Sequence, residues 1–283
     1  MSTPPAAPPP AAIAQAAALI AEARALVVGA GAGMGIDSGL PDFRGPGGFW
    51  KAYPALGRQG LAFEEVASPA TFERDPALAW GFYGHRLALY RRTVPHAGFQ
   101  ILRRWGQRMA QGAVAYTSNV DGHFQAAGWN TVAECHGSIH HLQCSRPCSR
   151  EIWSADDFVP EVDEAACRLV NAPPRCPRCG AIARPNILMF DDFAWAGRRT
   201  RDQEAAVDCW LNEKAERLVV VEIGAGTAIP SVRRFGQSLL RAHGARLVRI
   251  NPHESAVARS EDVALAGPAL ATLQALELAL GSA

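Results

Sequence analysis

The chain has 283 residues, 48% hydrophobic and 19% charged, enough apolar material for one large core or two modest ones. Twenty-eight Lys and Arg against 27 Asp and Glu leave a net charge of +1, which excludes the strong basic field that gathers nucleic acid or an anionic membrane surface. No apolar run approaches the roughly 20 residues of a membrane helix, and the N-terminus lacks the basic and apolar regions of an export signal; the expectation is a cytoplasmic protein with a small or neutral partner and no membrane or nucleic-acid partner.

In chain order, residues 1–10 (MSTPPAAPPP) read as a disordered or polyproline-like tail, and residues 11–25 as an Ala-rich helix. LVVGAG (26–31) reads as a buried parallel strand that runs into a glycine-rich stretch, GAGAGMGIDSGLPDFRG (29–45). A strand, glycines and a helix start form the layout in which backbone amides meet a pyrophosphate. The spacing is imperfect as a dinucleotide fingerprint, because Met34 stands where a third glycine is expected. The glycines therefore fit a phosphate cradle or simply a tight turn. Residues 61–110 carry helical patterns with no strand between them.

GAVAYTS (112–118) is the next strand, with Asn119 and Asp121 just past its end in TSNVDGHF (117–124). AECHGS (133–138) places His136 likewise beyond an apolar strand, at the sheet edge where this fold class does its chemistry and where an imidazole can act as a general base. RLVVVEIGAG (217–226) and ARLVRIN (245–251) add two more strands, the former closed by a second glycine turn at Gly224-Ala225-Gly226, and RDQEAAVDCWLNEKAER (201–217) reads as a helix. The alternation predicts an α/β fold, a Rossmann-like doubly wound parallel sheet. Residues 11–60, 111–139 and 184–283 are assigned to it, with a smaller domain made of a helical module (61–110) and a zinc-ribbon module (140–183).

The second insert holds Cys144-Ser-Arg-Pro-Cys148 and Cys176-Pro-Arg-Cys179-Gly180. Two turn-borne thiolate pairs match the closed tetrahedral site of one structural Zn²⁺, with Gly180 relaxing the second turn; free thiols are the other reading. The remaining cysteines, Cys135, Cys167 and Cys209, are expected to be buried apolar residues. Arg146, Arg150, Arg175 and Arg178 around the pairs would suit a nucleic-acid module, but the near-neutral chain argues against one.

GAGMGIDSGLPDFRG, TSNVDG, ECHGS, the two cysteine pairs, ARPNILMF and the late glycine turn follow one another from about Leu26 to the end. Taken together they resemble the sirtuins, the NAD-dependent protein-lysine deacylases. The resemblance implies NAD⁺ as co-substrate and acyl-lysine proteins or peptides as partners, meeting in a cleft between the two domains of a monomer. It implies that Gly31, Ala32 and Gly33 hold the dinucleotide together with Ser118, Gly224, Gly226 and Asn251. Pro41 to Arg44 would begin a loop over the nicotinamide ribose, so that Asp42, Phe43 and Arg44 join the cofactor site. Asn119 would orient the ribose and a bound water, and Asp121 the nicotinamide carboxamide. His136 would be the base that activates a ribose hydroxyl once the acyl oxygen has displaced nicotinamide.

Tyr83 and Arg86, at i and i+3 of one predicted helix, resemble the Tyr-x-x-Arg pair of the desuccinylase and demalonylase branch, where a cation beside a phenol suits an acyl chain ending in a carboxylate. The sequence departs from the sirtuin pattern at Gly35 (usually Ser), Ser118 (usually Gln), His123-Phe124 (usually Leu-His), Asp191 (usually Gly) and Gly224-Ala225-Gly226-Thr227 (usually Gly-Thr-Ser). ADP-ribosyl transfer or NAD⁺ cleavage on the same fold is the alternative activity.

Overall fold

The structure, a computed structural model, describes residues 7–41, 45–146 and 148–281. Helix α1 (Pro10–Glu22) leads into strand β1 (Ala25–Ala30) and the short α2 (Gly33–Ile36). Then come α3 (Gly45–Ala52), α4 (Pro54–Arg58), α5 (Phe63–Val66), α6 (Pro69–Arg74), α7 (Pro76–Arg92) and α8 (Ala97–Arg108). After β2 (Ala113–Thr117), α9 (His123–Ala126) and β3 (Val132–Glu134) follow β4 (Gly137–Cys144), β5 (Ile152–Ser154), β6 (Val162–Asp163), β7 (Arg168–Leu169) and β8 (Ala183–Ile187). The chain closes with α10 (Arg198–Lys214), β9 (Leu218–Ile223), α11 (Ser231–His243), β10 (Arg246–Ile250), β11 (Val263–Leu265) and α12 (Ala269–Gly281).

Six of these strands form one parallel sheet in the order β11-β10-β9-β1-β2-β3. The chain winds outward from β1 through β2 to β3, then returns and winds the other way from β9 to β11. That reversal places a topological switch point between β1 and β9, the position at which open α/β sheets hold a ligand in a crevice beyond the carboxyl ends of the strands. β1 and β9 are buried at every position, which explains why they read as continuous apolar runs rather than alternating ones. One face packs under α1, α8 and α12, and the other under α10 and α11.

A second core lies beside the sheet, centred on Trp80, Phe82 and Tyr83 of α7. The assigned module boundaries change here. Phe49 of α3, Leu56 of α4 and Tyr53 between the two helices belong to this core, so the helical module begins before residue 61. Conversely α8 leaves it: Phe99, Leu102 and Trp105 form a stripe that fills the main sheet's face. The cysteine-bearing insert is a three-stranded antiparallel sheet, β5-β4-β8, paired from Gly137↔Ile187 to Cys144↔Ala183, and so extends past residues 140–183 at both ends.

The first helix also shifts. Pro10 opens it at the position where a missing N–H costs nothing, and it ends at Glu22 because Ala25 already pairs with Leu218 in the sheet. Of the expected tail, residues 1–6 lie outside the described residues, as do Asp42, Phe43 and Arg44. No helix among the described residues is long and apolar enough to cross a membrane.

Candidate active site

The two glycine turns meet at the switch point, backbone against backbone. A Cβ on Gly33 would stand 2.6 Å from Gly224 Cα, and one on Gly31 would stand 2.7 Å from Ala225 Cα. Gly224 itself has φ +60, and its N–H is held by Ile250 O at 2.9 Å. Gly33 N–H donates to Gly224 O at 3.1 Å, so the amide of this glycine locks the turns together rather than facing a ligand. The carbonyls are turned inward: Gly31 O accepts from Asn119 Nδ2, and Ala225 O accepts from Asn251 Nδ2 and from Arg233 Nε and Nη2. An inward carbonyl points the N–H of the same peptide plane the opposite way. Those N–H groups belong to Ala32 and Gly226, and among the described residues neither has an acceptor. The crevice thus offers backbone donors to an anion, with Asn251, fully buried, as a brace for the second turn.

Close approach makes the glycines structural as well. Gly33→Ala is expected to push the turns apart and cost about 3 kcal/mol or more, read as a lowered thermal midpoint and lost nucleotide binding; a variant of normal stability would contradict this packing.

Beyond β2, Thr117 Oγ1 donates to Ala30 O at 2.9 Å and accepts from Asn119 N at 3.0 Å, so one hydroxyl ties the end of β2 to β1 and sets the direction of the Asn119 side chain. Ser118 N donates to Ala30 O at 3.1 Å, on the same side. Asp121 is 7% exposed, and its Oδ1 caps α9 by accepting from His123 N at 2.9 Å. Its backbone carbonyl is bonded to His140 Nε2 at 2.8 Å.

His136 sits in the turn between β3 and β4, with Leu188 N donating to its carbonyl at 2.9 Å and Nε2 lying 3.1 Å from Ser231 Oγ. Burial lowers the pKa of His136 below that of a free imidazole, and a hydrogen bond to the Ser118 backbone partly opposes the shift. The side chain is therefore neutral at pH 7, with a nitrogen lone pair available to take a proton. Asn119, Asp121, Ser118 and His136 all lie at the carboxyl ends of β2 and β3, on the opposite side of β1 from Gly224, Gly226 and Asn251.

Tyr83 and Arg86 are both buried on α7. The Arg86 guanidinium lies 5.2, 5.9 and 5.4 Å from the ring centres of Phe82, Tyr83 and Tyr90, and donates to Tyr90 Oη through Nε at 2.9 Å and Nη2 at 2.7 Å. Burial pushes Tyr83 up to about 12, against the pull of Arg86 and Arg184, so its hydroxyl is protonated and can donate. Tyr90 in turn packs on His123 at 6.4 Å, which links this cluster to the Asp121 loop.

Asp191 has φ +53, the left-handed backbone that explains why a glycine fits this position and why Asp, one of the few side chains that tolerate it, can replace one. Its neighbour Asp192 fixes the segment through a fully buried 2.7 Å ion pair with Arg184. Thr117 acts through Ala30, 87 residues away, a link that no local pattern carries; Arg184 acts within its own segment, through Ile187 O and Asp192.

The four cysteines of the insert converge, with all sulfur atoms within 4.8 Å of one another and the Cys144–Cys179 and Cys148–Cys176 pairs at 3.6 Å. Four ligands about 2.3 Å from a tetrahedral ion stand about 3.8 Å apart, so the set fits one Zn²⁺ with no open coordination position. Gly180, at φ +70, turns the second pair. Cys135 and Cys167 are buried as expected, whereas Cys209 is exposed, on the outer side of α10.

Fold and site together define a doubly wound α/β protein with backbone donors at its switch point, a neutral histidine beside them and a four-cysteine module. The Sir2 family model matches residues 31–221, and the chain belongs to the Sir2 family, the sirtuins. It is 34% identical over 256 residues to "NAD-dependent protein deacylase 2" of Pyrobaculum aerophilum, covering 89% of each chain. It is also 32% identical to "NAD-dependent protein deacylase 1" of Pseudomonas aeruginosa, covering 89% of this chain and 92% of that one. Among solved structures, a Sir2 homologue in complex with NAD superposes with a TM-score of 0.74 at 23% identity, over 95% of this chain and 93% of that chain, a likeness of fold.

Proposed function

We infer that the protein is an NAD-dependent protein-lysine deacylase, yielding nicotinamide, O-acyl-ADP-ribose and free lysine. The observation that carries this reading is the crevice itself: unpaired backbone N–H groups of Ala32 and Gly226 for the pyrophosphate stand beside Asn119 and neutral His136. The deacylase relatives of the same family support it. Within this reading the adenosine half of NAD⁺ lies toward Gly226 and Asn251, and the nicotinamide half toward Asn119 and Asp121, where Asp121 would meet the carboxamide. The acyl oxygen attacks the anomeric carbon of the nicotinamide ribose and nicotinamide leaves; His136 then takes a ribose hydroxyl proton, so that the oxygen can attack the acyl-bearing carbon. One bound Zn²⁺ supplies structural cross-linking of the insert and no chemistry.

The acyl group is read as acidic, succinyl or malonyl. Arg86, held over three aromatic rings, presents a cation in low-dielectric surroundings where a terminal carboxylate would gain a charge-assisted contact. Arg86→Met is expected to lower desuccinylation by about 100-fold, the loss of a buried charged hydrogen bond of roughly 3 kcal/mol, while deacetylation changes by less than about threefold; equal losses on both substrates would assign Arg86 a structural role.

The experiment that tests the function is incubation with acetyl-, succinyl- and malonyl-lysine peptides and NAD⁺, with mass analysis of the products. Acyl transfer to ADP-ribose confirms deacylation. The second reading, ADP-ribosyl transfer or NAD⁺ cleavage, draws on the exposed carboxylate of Asp191, which would repel acidic peptides at the segment following β8. Nicotinamide release that proceeds undiminished without acyl-lysine would favour it.

A further inference from the structure

His136 is bonded from a direction that neither the glycine turns nor the strand ends account for. Ser231 is the first residue of α11, and its Oγ lies 3.1 Å from His136 Nε2 across 95 positions of sequence. A serine at a helix start ordinarily spends its hydroxyl on capping. Here Pro230 occupies the cap position and no side chain caps the helix, so the Ser231 hydroxyl is directed at the imidazole instead. The 13-residue α11 also brings the positive end of its dipole to this place, which disfavours an imidazolium.

We propose that Ser231 is a positioning residue for His136: its hydroxyl donates to Nε2, holds the ring proton on Nδ1 and keeps the ring aimed at the cleft until a ribose hydroxyl takes over the same lone pair. The proposal deepens the deacylase reading and rests on His136 being its base. When the ribose hydroxyl arrives, Ser231 Oγ–H releases Nε2, Nε2 accepts the substrate proton, and no covalent bond to Ser231 forms or breaks. A hydroxyl is suited to this exchange, because it can turn away by rotation about a single bond without moving the helix.

Groups from the other elements around His136 do not compete for this lone pair. Arg233 on α11 is turned to Ala225 O and the Glu254 carbonyl, and Glu134 on β3 is paired with Arg199 at 2.6 Å. Cys135, next in sequence, is pushed up to about 12 by burial, so its thiol is neutral. Tyr116 is likewise raised by burial, and the Glu204 carboxyl beside it is raised mainly by burial and by Asp208. The larger influence on His136 itself is burial, and a hydrogen bond to the Ser118 backbone opposes it.

Two measurements on Ser231→Ala and Ser231→Thr test the assignment. In the ligand-free protein, NMR titration of the His136 ring should show its pKa rise by about half a unit in Ser231→Ala, because the donor that favoured the neutral ring is gone, and return in Ser231→Thr. In the deacylation assay, Ser231→Ala should lower kcat about fivefold, the weight of one ordinary hydrogen bond, with the acid limb of the pH–rate profile displaced in the same direction and KM for NAD⁺ within twofold. A titration and a pH profile that superpose on the wild type overturn the proposal, whatever the change in rate. The NMR readout needs no turnover, so it decides the role of Ser231 even if the chain removes no acyl group, and a fully active His136→Ala would refute the base assignment separately.

Discussion

His136→Ala is expected to abolish deacylation while leaving the fold, the zinc content and NAD⁺ binding intact. The magnitude follows from the role: a positioned general base contributes about 10²- to 10⁴-fold, and among the described residues the adjacent Cys135 and Glu134 are not placed to replace it. The Cys135 thiol is neutral, with its pKa at about 12, and Glu134 is committed to Arg199. Stability should change little, because the links that hold its turn are made by backbone, Leu188 N to His136 O and the β4–β8 ladder beginning at Gly137↔Ile187. NAD⁺ binding should survive because the pyrophosphate donors, Ala32 and Gly226, are set by the glycine turns and not by the histidine. The check is a single-turnover deacylation assay beside calorimetric NAD⁺ binding and a thermal melt. Near-normal turnover with a normal melt removes His136 from the chemistry; lost NAD⁺ binding would make it a binding residue instead.

The sheet was legible because its strands are buried on both sides, and residues such as Val27, Val28, Val219 and Val221 have no reason to alternate with polar ones. The zinc site was legible because thiolate spacing within each turn is local. Module membership was not. Phe49 and Phe99 both belong to amphipathic helices, and the helical period says which face is apolar without saying which core receives it. The same limit applies to the site. Asn119 and His136 could be placed at strand ends from their own neighbours, but the hydrogen bonds that aim them come from Gly31, 88 residues away, and Ser231, 95 residues away. The glycines fit a phosphate cradle or a tight turn by sequence, and in the structure Gly33 spends its N–H on Gly224 O whereas the N–H groups of Ala32 and Gly226 have no acceptor among the described residues. Asp191 departs from the glycine of the sirtuin pattern, and its positive φ shows that the backbone demand is kept while the side chain differs.

Removing the metal should propagate from the insert to His136. The β5-β4-β8 sheet is small, and its cysteine end, Cys144↔Ala183, is joined to the end next to His136, Gly137↔Ile187, by one antiparallel pairing whose register shifts between Ser138 and Leu142. Structural zinc in comparably small modules contributes about 10–16 kcal/mol of apparent binding free energy, and this becomes folding free energy where the apo module cannot hold itself. Here part of the insert has its own support: Ile139 and Leu142 of β4 and Ala183 and Ile187 of β8 are buried in the second core with α7. The loss should therefore be graded, severe near residues 145–181 and weaker toward Gly137. Cys176→Ser is expected to reduce bound zinc from one equivalent to none and to lower the thermal midpoint by about 10 °C or more, since each kcal/mol is worth about 2–4 °C in a domain of this size. Proteolysis should open first between the two cysteine pairs, and deacylation should fall with rising KM for the acyl peptide before kcat collapses, because the β8 segment beside His136 loosens before the nucleotide turns do. Zinc absent with an unchanged melt would mean that the second core alone holds β4 and β8, and that the four thiolates are dispensable for the site.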